Sequence, residues 1–263
     1  MVQPTSITGT DLTYDCHGDG QPMILLHGGM APREYWLPVI PQFDEHAAVV
    51  PQRPGFGTCL DDLDETTGDE VLERESSYVH GLVDEFEMKP ILFGHSFGAL
   101  TAIEAARNAA VEAVVAYEPA VLPEDYRDEA ELAAQMQALI DDGEREQAVK
   151  RYVEQVLHPD GIDNLDAWLD EWPVWPDCVD LAEEVVRMNR AVEGYELPDR
   201  LDIDVPVLVM TGTNGPDFLR ESARDVHEVL PHSRLVEFDE ISHNGPAEAP
   251  GVVSAEVEAF LQK

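Results

Sequence analysis

The stretch ILFGHSFGAL, residues 91–100, constrains this chain more than any other. Ile91, Leu92 and Phe93 read as a buried strand, and Ala99, Leu100, Ala102, Ile103, Ala105 and Ala106 read as a helix. Only Gly94-His95-Ser96-Phe97-Gly98 joins them. A reversal that tight leaves no room for side chains two places before and after its apex. Glycines therefore flank the serine, and the strained turn holds the serine oxygen out at the top of a sheet.

The rest of the chain supplies the sheet. Leu12–Tyr14 and Met23–Leu26 read as an early strand pair joined by the Gly-rich turn at 16–20, and Ala47–Val50 as a strand followed by the loop PQRPGFGTC. Apolar residues from Thr66 to Met88 fall at helical spacing, and Val111–Ala116 is a further buried strand. Trp36 to Phe43 reads as a short helix interrupted by proline. Strands alternating with helices predict an α/β fold with a mostly parallel central sheet flanked by helices.

From Val121 to Arg200 strand signals vanish, and helices are predicted at Glu129–Ile140, Arg145–Val156, Leu165–Trp172 and Leu181–Val192. The sheet resumes at Val205–Met210, with a helix (Phe218–Leu230), a strand (Leu235–Phe238) and a final helix (Val252–Leu261). The expected organisation is a core in two parts, 1–120 and 201–263, with a helical cap inserted at 121–200.

A serine alcohol needs a base to take its proton and a third group to orient that base. His243, in EISHNGPAEAP, follows the last predicted strand on the same rim as the elbow, where open α/β sheets bind ligands. His95 is too close to Ser96 to turn back on it, His227 lies within a helix, and His232 precedes the last strand. Two carboxylates occupy the correct rim. Glu118 follows the strand Val111–Ala116 and is favoured; Asp217 is the alternative, although it opens a helix and so has a capping role of its own. Two backbone donors are needed for an oxyanion. Phe97, directly after the serine, supplies one, and Gly29 in HGG the other, with Met30 as its alternative.

Charge separates the remaining classes. There are 54 acidic against 16 basic residues, a formal net charge of −38, dispersed through a sequence with enough apolar content for a core. Self-repulsion of that size destabilises a compact protein in dilute buffer, whereas molar salt shortens the Debye length to about 3 Å. A halophilic cytosol is the expected setting. The same charge argues against nucleic-acid and anionic-membrane partners. Cys16, Cys59 and Cys178 lack CxxC spacing, and the N-terminus has neither the basic region nor the apolar core of a secretory signal; both point to a reducing cytoplasm.

Taken together, ILLHGGMAPREYW, VVPQRPGFG, FGHSFGAL, VPVLVMTG and SHNGPAEAP resemble the α/β-hydrolase fold superfamily. The resemblance implies a nucleophile–acid–histidine order, which Ser96, Glu118 and His243 keep, and a helical cap after strand six. It also departs from the family's common pattern, since Gly212-Thr213-Asn214-Gly215 has glycine where an aspartate is usual. Haloalkane dehalogenases and some other members place the acid after strand six, which corresponds to Glu118. An aspartate nucleophile serves dehalogenases and epoxide hydrolases of this fold, so Ser96 argues against those activities.

The resulting expectation is a serine hydrolase acting on a carboxylic ester, a lactone or a related small acyl compound, with no metal or organic cofactor. An acyltransferase or lyase on the same three residues, and a non-catalytic ligand-binding protein, are the alternatives. Trp168 and Trp172, one helical turn apart, are expected either to line the substrate pocket or to anchor the cap. Arg53, in the loop after a strand, reads as a rim residue or an ion-pair partner.

Overall fold

The computed structural model describes residues 2–7, 10–55, 67–127, 130–158, 161–172 and 175–262. Cys59, the end of the PQRPGFGTC loop, Thr66 and Glu129 lie outside the described residues. Among the described residues eight strands form one sheet: β1 (Val2–Ile7), β2 (Thr10–His17), β3 (Gln21–Leu26), β4 (His46–Pro51), β5 (Ile91–His95), β6 (Ala113–Tyr117), β7 (Val207–Gly212) and β8 (Ser233–Phe238). Their order is β1-β2-β4-β3-β5-β6-β7-β8, and only β2 runs against its neighbours.

This order corrects one expectation. β2 and β3 do not pair with each other; β4 lies between them, antiparallel to β2 and parallel to β3. Proximity in sequence suggested a hairpin, but the Gly-rich turn instead releases the chain to the far side of β4. β1 had no recognisable signal, because VQPTSI lacks the apolar alternation of a half-buried strand. The stretch from Trp36 to Phe43 forms two 3₁₀ turns, Arg33–Trp36 and Ile40–Gln42, rather than one helix.

Alternation along the parallel strands builds two layers. Ile24, Leu26, Leu92, Val114, Val207 and Val209 face α1 (Gly68–Asp84) and α2 (Phe97–Ala106). Met23, Leu25, Ile91, Phe93, Leu208 and Met210 face Trp36, Phe43 and the C-terminal helix (Pro250–Leu261). Both faces are covered, so these strands read as continuous apolar runs, as parallel sheets require. Each fully buried Leu, Ile, Val or Phe side chain contributes about 1.5–3 kcal/mol relative to exposure.

Between β6 and β7 the described chain runs through α3 (Glu124–Arg127), α4 (Leu132–Asp141), α5 (Arg145–Tyr152), a π-helical turn (Val153–Leu157), α6 (Leu165–Glu171), α7 (Trp175–Asp180) and α8 (Ala182–Gly194). They share an apolar cluster that includes Leu132, Met136, Val149, Leu169 and Val185, with Met30 of the main sheet's rim packed into it. Trp168, Trp172 and Trp175 are partly buried against it. The chain returns through β7, α9 (Asp217–Val229), β8, α10 (Gly245–Glu248) and α11 (Pro250–Leu261). Among the described residues no helix is long and apolar enough to cross a membrane.

Candidate active site

β5 ends at His95 and α2 begins at Phe97, so the whole reversal falls on Ser96. Its backbone has φ 55° and ψ −121°, outside the regions that L-residues favour. Such strain costs about 1–3 kcal/mol and persists only where the surroundings over-determine it. Here they do. The Ser96 N–H donates to the Tyr117 carbonyl at 2.9 Å, and the Ser96 carbonyl accepts from Ala99, Leu100 and Ala120 at 2.9–3.2 Å. A methyl group on Gly94 would collide with the Gly98 carbonyl, and one on Gly98 with the Leu26 carbonyl. These contacts are why the flanking positions are glycine.

Glu118 and His243, 125 residues apart, meet at the same rim. The His243 Nδ1–H donates to Glu118 Oε2 at 2.5 Å. Glu118 is fully buried, with φ 45°. Its Oε1 accepts from the Thr211 hydroxyl at 2.8 Å and from the Gly212 N–H at 2.9 Å. Burial alone would raise its pKa; the His243 hydrogen bond and charge, with the Gly212 and Thr211 donors, outweigh it and hold the carboxyl below the usual range. Asp217 lies elsewhere: it opens α9, its side chain is 71% exposed, and it pairs with Arg220.

Three buried histidines stand near Ser96, and their environments differ. His95 Nε2 lies 2.9 Å from the His243 carbonyl, so this nitrogen carries the proton and donates. Burial, and then the neighbouring His243, push its pKa well below the ordinary value, and its ring stacks on Tyr35 with centroids 4.7 Å apart. His27 is driven to about 3, first by burial and then by the Arg53 charge. Both are neutral near pH 7. His95 thus supports the histidine loop through its backbone. Tyr117 does the same, its hydroxyl donating to the Ser242 carbonyl at 2.7 Å.

The Phe97 N–H is the first of α2, where no intrahelical acceptor is available. Gly29 and Met30 follow β3, and Met30 is buried with φ 61°. Arg53 is not on the rim. It is fully buried, donates to Glu75 Oε2 at 2.9 Å and to the His27 carbonyl, and lies 5.2 Å over the Phe97 ring. Glu75 continues through Arg74, Glu184 and Arg187, which ties β4's loop and α1 to α8.

Two cavities open at Ser96. One, of about 610 Å³, is lined by Val121, Leu122, Leu132, Met188, Val192 and Phe218 among others. The second, of about 420 Å³, holds His243, His95, Tyr35, Leu157, Trp168 and Trp172. Trp168 and Trp172 pack against the helical cluster and line this cavity. Tyr152 was not foreseen from the sequence, because it sits at the helical spacing of an ordinary core residue. A methyl group on Gly29 would lie 3.1 Å from its hydroxyl and 3.5 Å from Met188 Sδ. Thr211 and Gly212 were also missed; only the adjacency of β6 and β7 brings them to Glu118. Among the described residues no cluster of three or more His, Cys, Asp or Glu side chains is arranged to hold a metal ion.

Comparison with known proteins agrees with this architecture. Residues 23–256 match the alpha/beta hydrolase family. A characterised relative, (E)-2-((N-methylformamido)methylene)succinate hydrolase of Acinetobacter baylyi, is 25% identical over 95% of this chain and 93% of its own length. Among solved structures, an alpha/beta hydrolase from Sphaerobacter thermophilus superposes with a TM-score of 0.82 at 23% identity, covering 99% of each chain. The enol-lactonase from Burkholderia xenovorans gives 0.73 at 20% identity, over 99% of this chain and all of the other.

Proposed function

This chain belongs to the alpha/beta hydrolase family, and on that premise we propose that it hydrolyses a carboxylic ester, lactone or related acyl compound through an acyl-enzyme on Ser96. The observation that carries the reading is the 2.5 Å hydrogen bond from His243 to Glu118, made at the rim where Ser96 is held in a strained conformation.

In this mechanism the buried Glu118 carboxylate fixes the His243 tautomer, which leaves Nε2 free to accept a proton. His243 takes the proton of Ser96 as Oγ attacks the acyl carbon. The N–H of Phe97 and that of Gly29, or Met30, receive the oxyanion. Collapse expels the alcohol, protonated by His243; water then repeats the sequence and releases the acid. The helices of 121–200 act as the cap that keeps bulk water from this exchange.

The names of the relatives support hydrolysis, one being a hydrolase of a succinate derivative and another an enol-lactonase. The cavities argue for a different substrate from the first. Among the described lining residues neither contains Arg or Lys, while Asp125, Glu131, Glu154 and Glu193 face the larger one. Two carboxylates of a bound substrate would meet no cation there. A neutral acyl compound fits, and a salt-rich cytosol is the proposed setting.

The test is hydrolysis of p-nitrophenyl acetate and butyrate in about 2–4 M KCl, where charge repulsion is screened. Turnover with covalent capture of a fluorophosphonate at Ser96, both lost in Ser96→Ala, is the expected outcome. A folded protein that does neither sinks the proposal.

A further inference from the structure

The two cavities at Ser96 share only three of their described lining residues, Gly29, Ser96 and Tyr152. They are therefore separate rooms with a common doorway at the nucleophile. His243 lines the smaller room and not the larger one. That asymmetry decides where the two halves of a substrate go.

Attack by Ser96 Oγ forms one C–O bond, and collapse breaks the bond to the alcohol oxygen. The proton removed from Ser96 must reach that oxygen through His243, so the leaving oxygen has to lie within hydrogen-bond reach of it. The leaving group therefore extends into the room that contains His243. The oxyanion is directed at the backbone donors, so the acyl substituent has only the larger room left to occupy. In deacylation water enters from the vacated smaller room, gives its proton to His243, and Ser96 recovers that proton as the acid departs.

We infer, resting on the serine-hydrolase reading above, that the smaller cavity is a leaving-group subsite for an aromatic alcohol and the larger an acyl subsite for a neutral chain longer than acetyl. The chemistry of the walls sets both preferences. Tyr35 and His95 stack face to face, and Trp168 and Trp172 lie with ring centroids 5.2 Å apart, so the smaller room offers two ring pairs to an aromatic group, beside Glu34 and Glu248 in the same lining. Aromatic groups favour such company through offset and edge-to-face contacts beyond simple burial. The larger room carries Val121, Leu122, Leu132 and Val192, aliphatic surface that rewards added methylenes by up to about 4-fold each in kcat/KM, while Asp125, Glu131, Glu154 and Glu193 in the same lining disfavour an anionic chain.

The experiment separates the two halves of the substrate. Benzyl and ethyl butyrate have alcohols of similar basicity, so their kcat/KM ratio reads the leaving-group room; p-nitrophenyl acetate, butyrate, hexanoate and octanoate read the acyl room. In wild type, benzyl is preferred over ethyl, and the longer acyl chains over acetate. Trp172→Ala lowers the benzyl preference by about 3- to 10-fold, the range of an aromatic contact, and leaves the chain-length profile within twofold. Val192→Trp, with Leu122→Trp as a second variant should the first melt early, removes the preference for long chains and leaves the benzyl-to-ethyl ratio alone. The reverse pattern, or equal effects of both variants on both ratios, overturns the division of the site. Capture of a fluorophosphonate at Ser96 without turnover of any ester also overturns the subsites while sparing the nucleophile. Failure of both capture and turnover overturns the hydrolase reading itself.

Discussion

The floor of the site and its roof are built on different physics. The floor, formed by the ends of β3, β5, β6 and β7 with the histidine loop, is fixed by buried hydrogen bonds: His243 to Glu118, Thr211 and Gly212 to Glu118, Tyr117 to Ser242 and His95 to His243. The roof, from Glu124 to Gly194, is fixed chiefly by an apolar cluster and presents aromatic, aliphatic and acidic side chains to the cavities. A hydrogen bond lost in the floor leaves a buried polar group unpaired, whereas a roof side chain can be replaced by another of similar size. Chemistry is therefore expected to be brittle at the floor and specificity adjustable at the roof.

The largest effect tests the floor directly. Ser96→Ala is expected to lower kcat/KM by about 10³-fold or more, with an unchanged melting temperature. Glu118→Gln comes next, at about 10²–10⁴-fold. That variant also has a pH signature. The folded-state pKa of Glu118 is depressed, so its ionised form stabilises the fold above the ordinary value of about 4.3. This contribution disappears as pH falls through the lower, folded value. Urea titrations should show the gap between wild type and Glu118→Gln narrowing below about pH 4. A constant gap down to acid pH would mean that His243 and Glu118 are not coupled as described.

The buried ion chain joins floor to roof, since Arg53 touches the His27 carbonyl and Phe97 while Glu75, Arg74 and Glu184 lead to α8. Arg53→Met is expected to destabilise the protein by about 3 kcal/mol in urea unfolding, because it removes one partner of a buried pair. A loss under 1 kcal/mol would show that the roof carries its own stability. The smallest effect belongs to Asp217→Asn. Its exposed pair with Arg220 contributes less than about 1 kcal/mol, and activity should stay within twofold; a large loss would overturn the choice of Glu118.

The contrast between floor and roof also separates what could be read along the chain from what could not. Ser96 was legible because the glycines, the preceding strand and the following helix all lie within ten residues. Strand identities in the parallel sheet were legible because burial on both faces forces continuous apolar runs. Pairing was not: β2 and β3 are neighbours in sequence, yet β4 separates them in the sheet. Tyr152 carried no signal, since a pocket tyrosine and a core tyrosine occupy the same helical positions.

The sequence by itself determined the turn at Ser96, the class of fold and the acidic character of the surface, all of which follow from local sterics, periodicity or composition. The tertiary structure alone decided which carboxylate meets His243, that Arg53 is buried, and that two cavities open at one serine. Those outcomes depend on contacts such as Glu118–His243, across 125 residues, and on the order of strands that brings Thr211 and Gly212 alongside. Local patterns record the conformation of a segment; a site is made by which segments the folded sheet brings together.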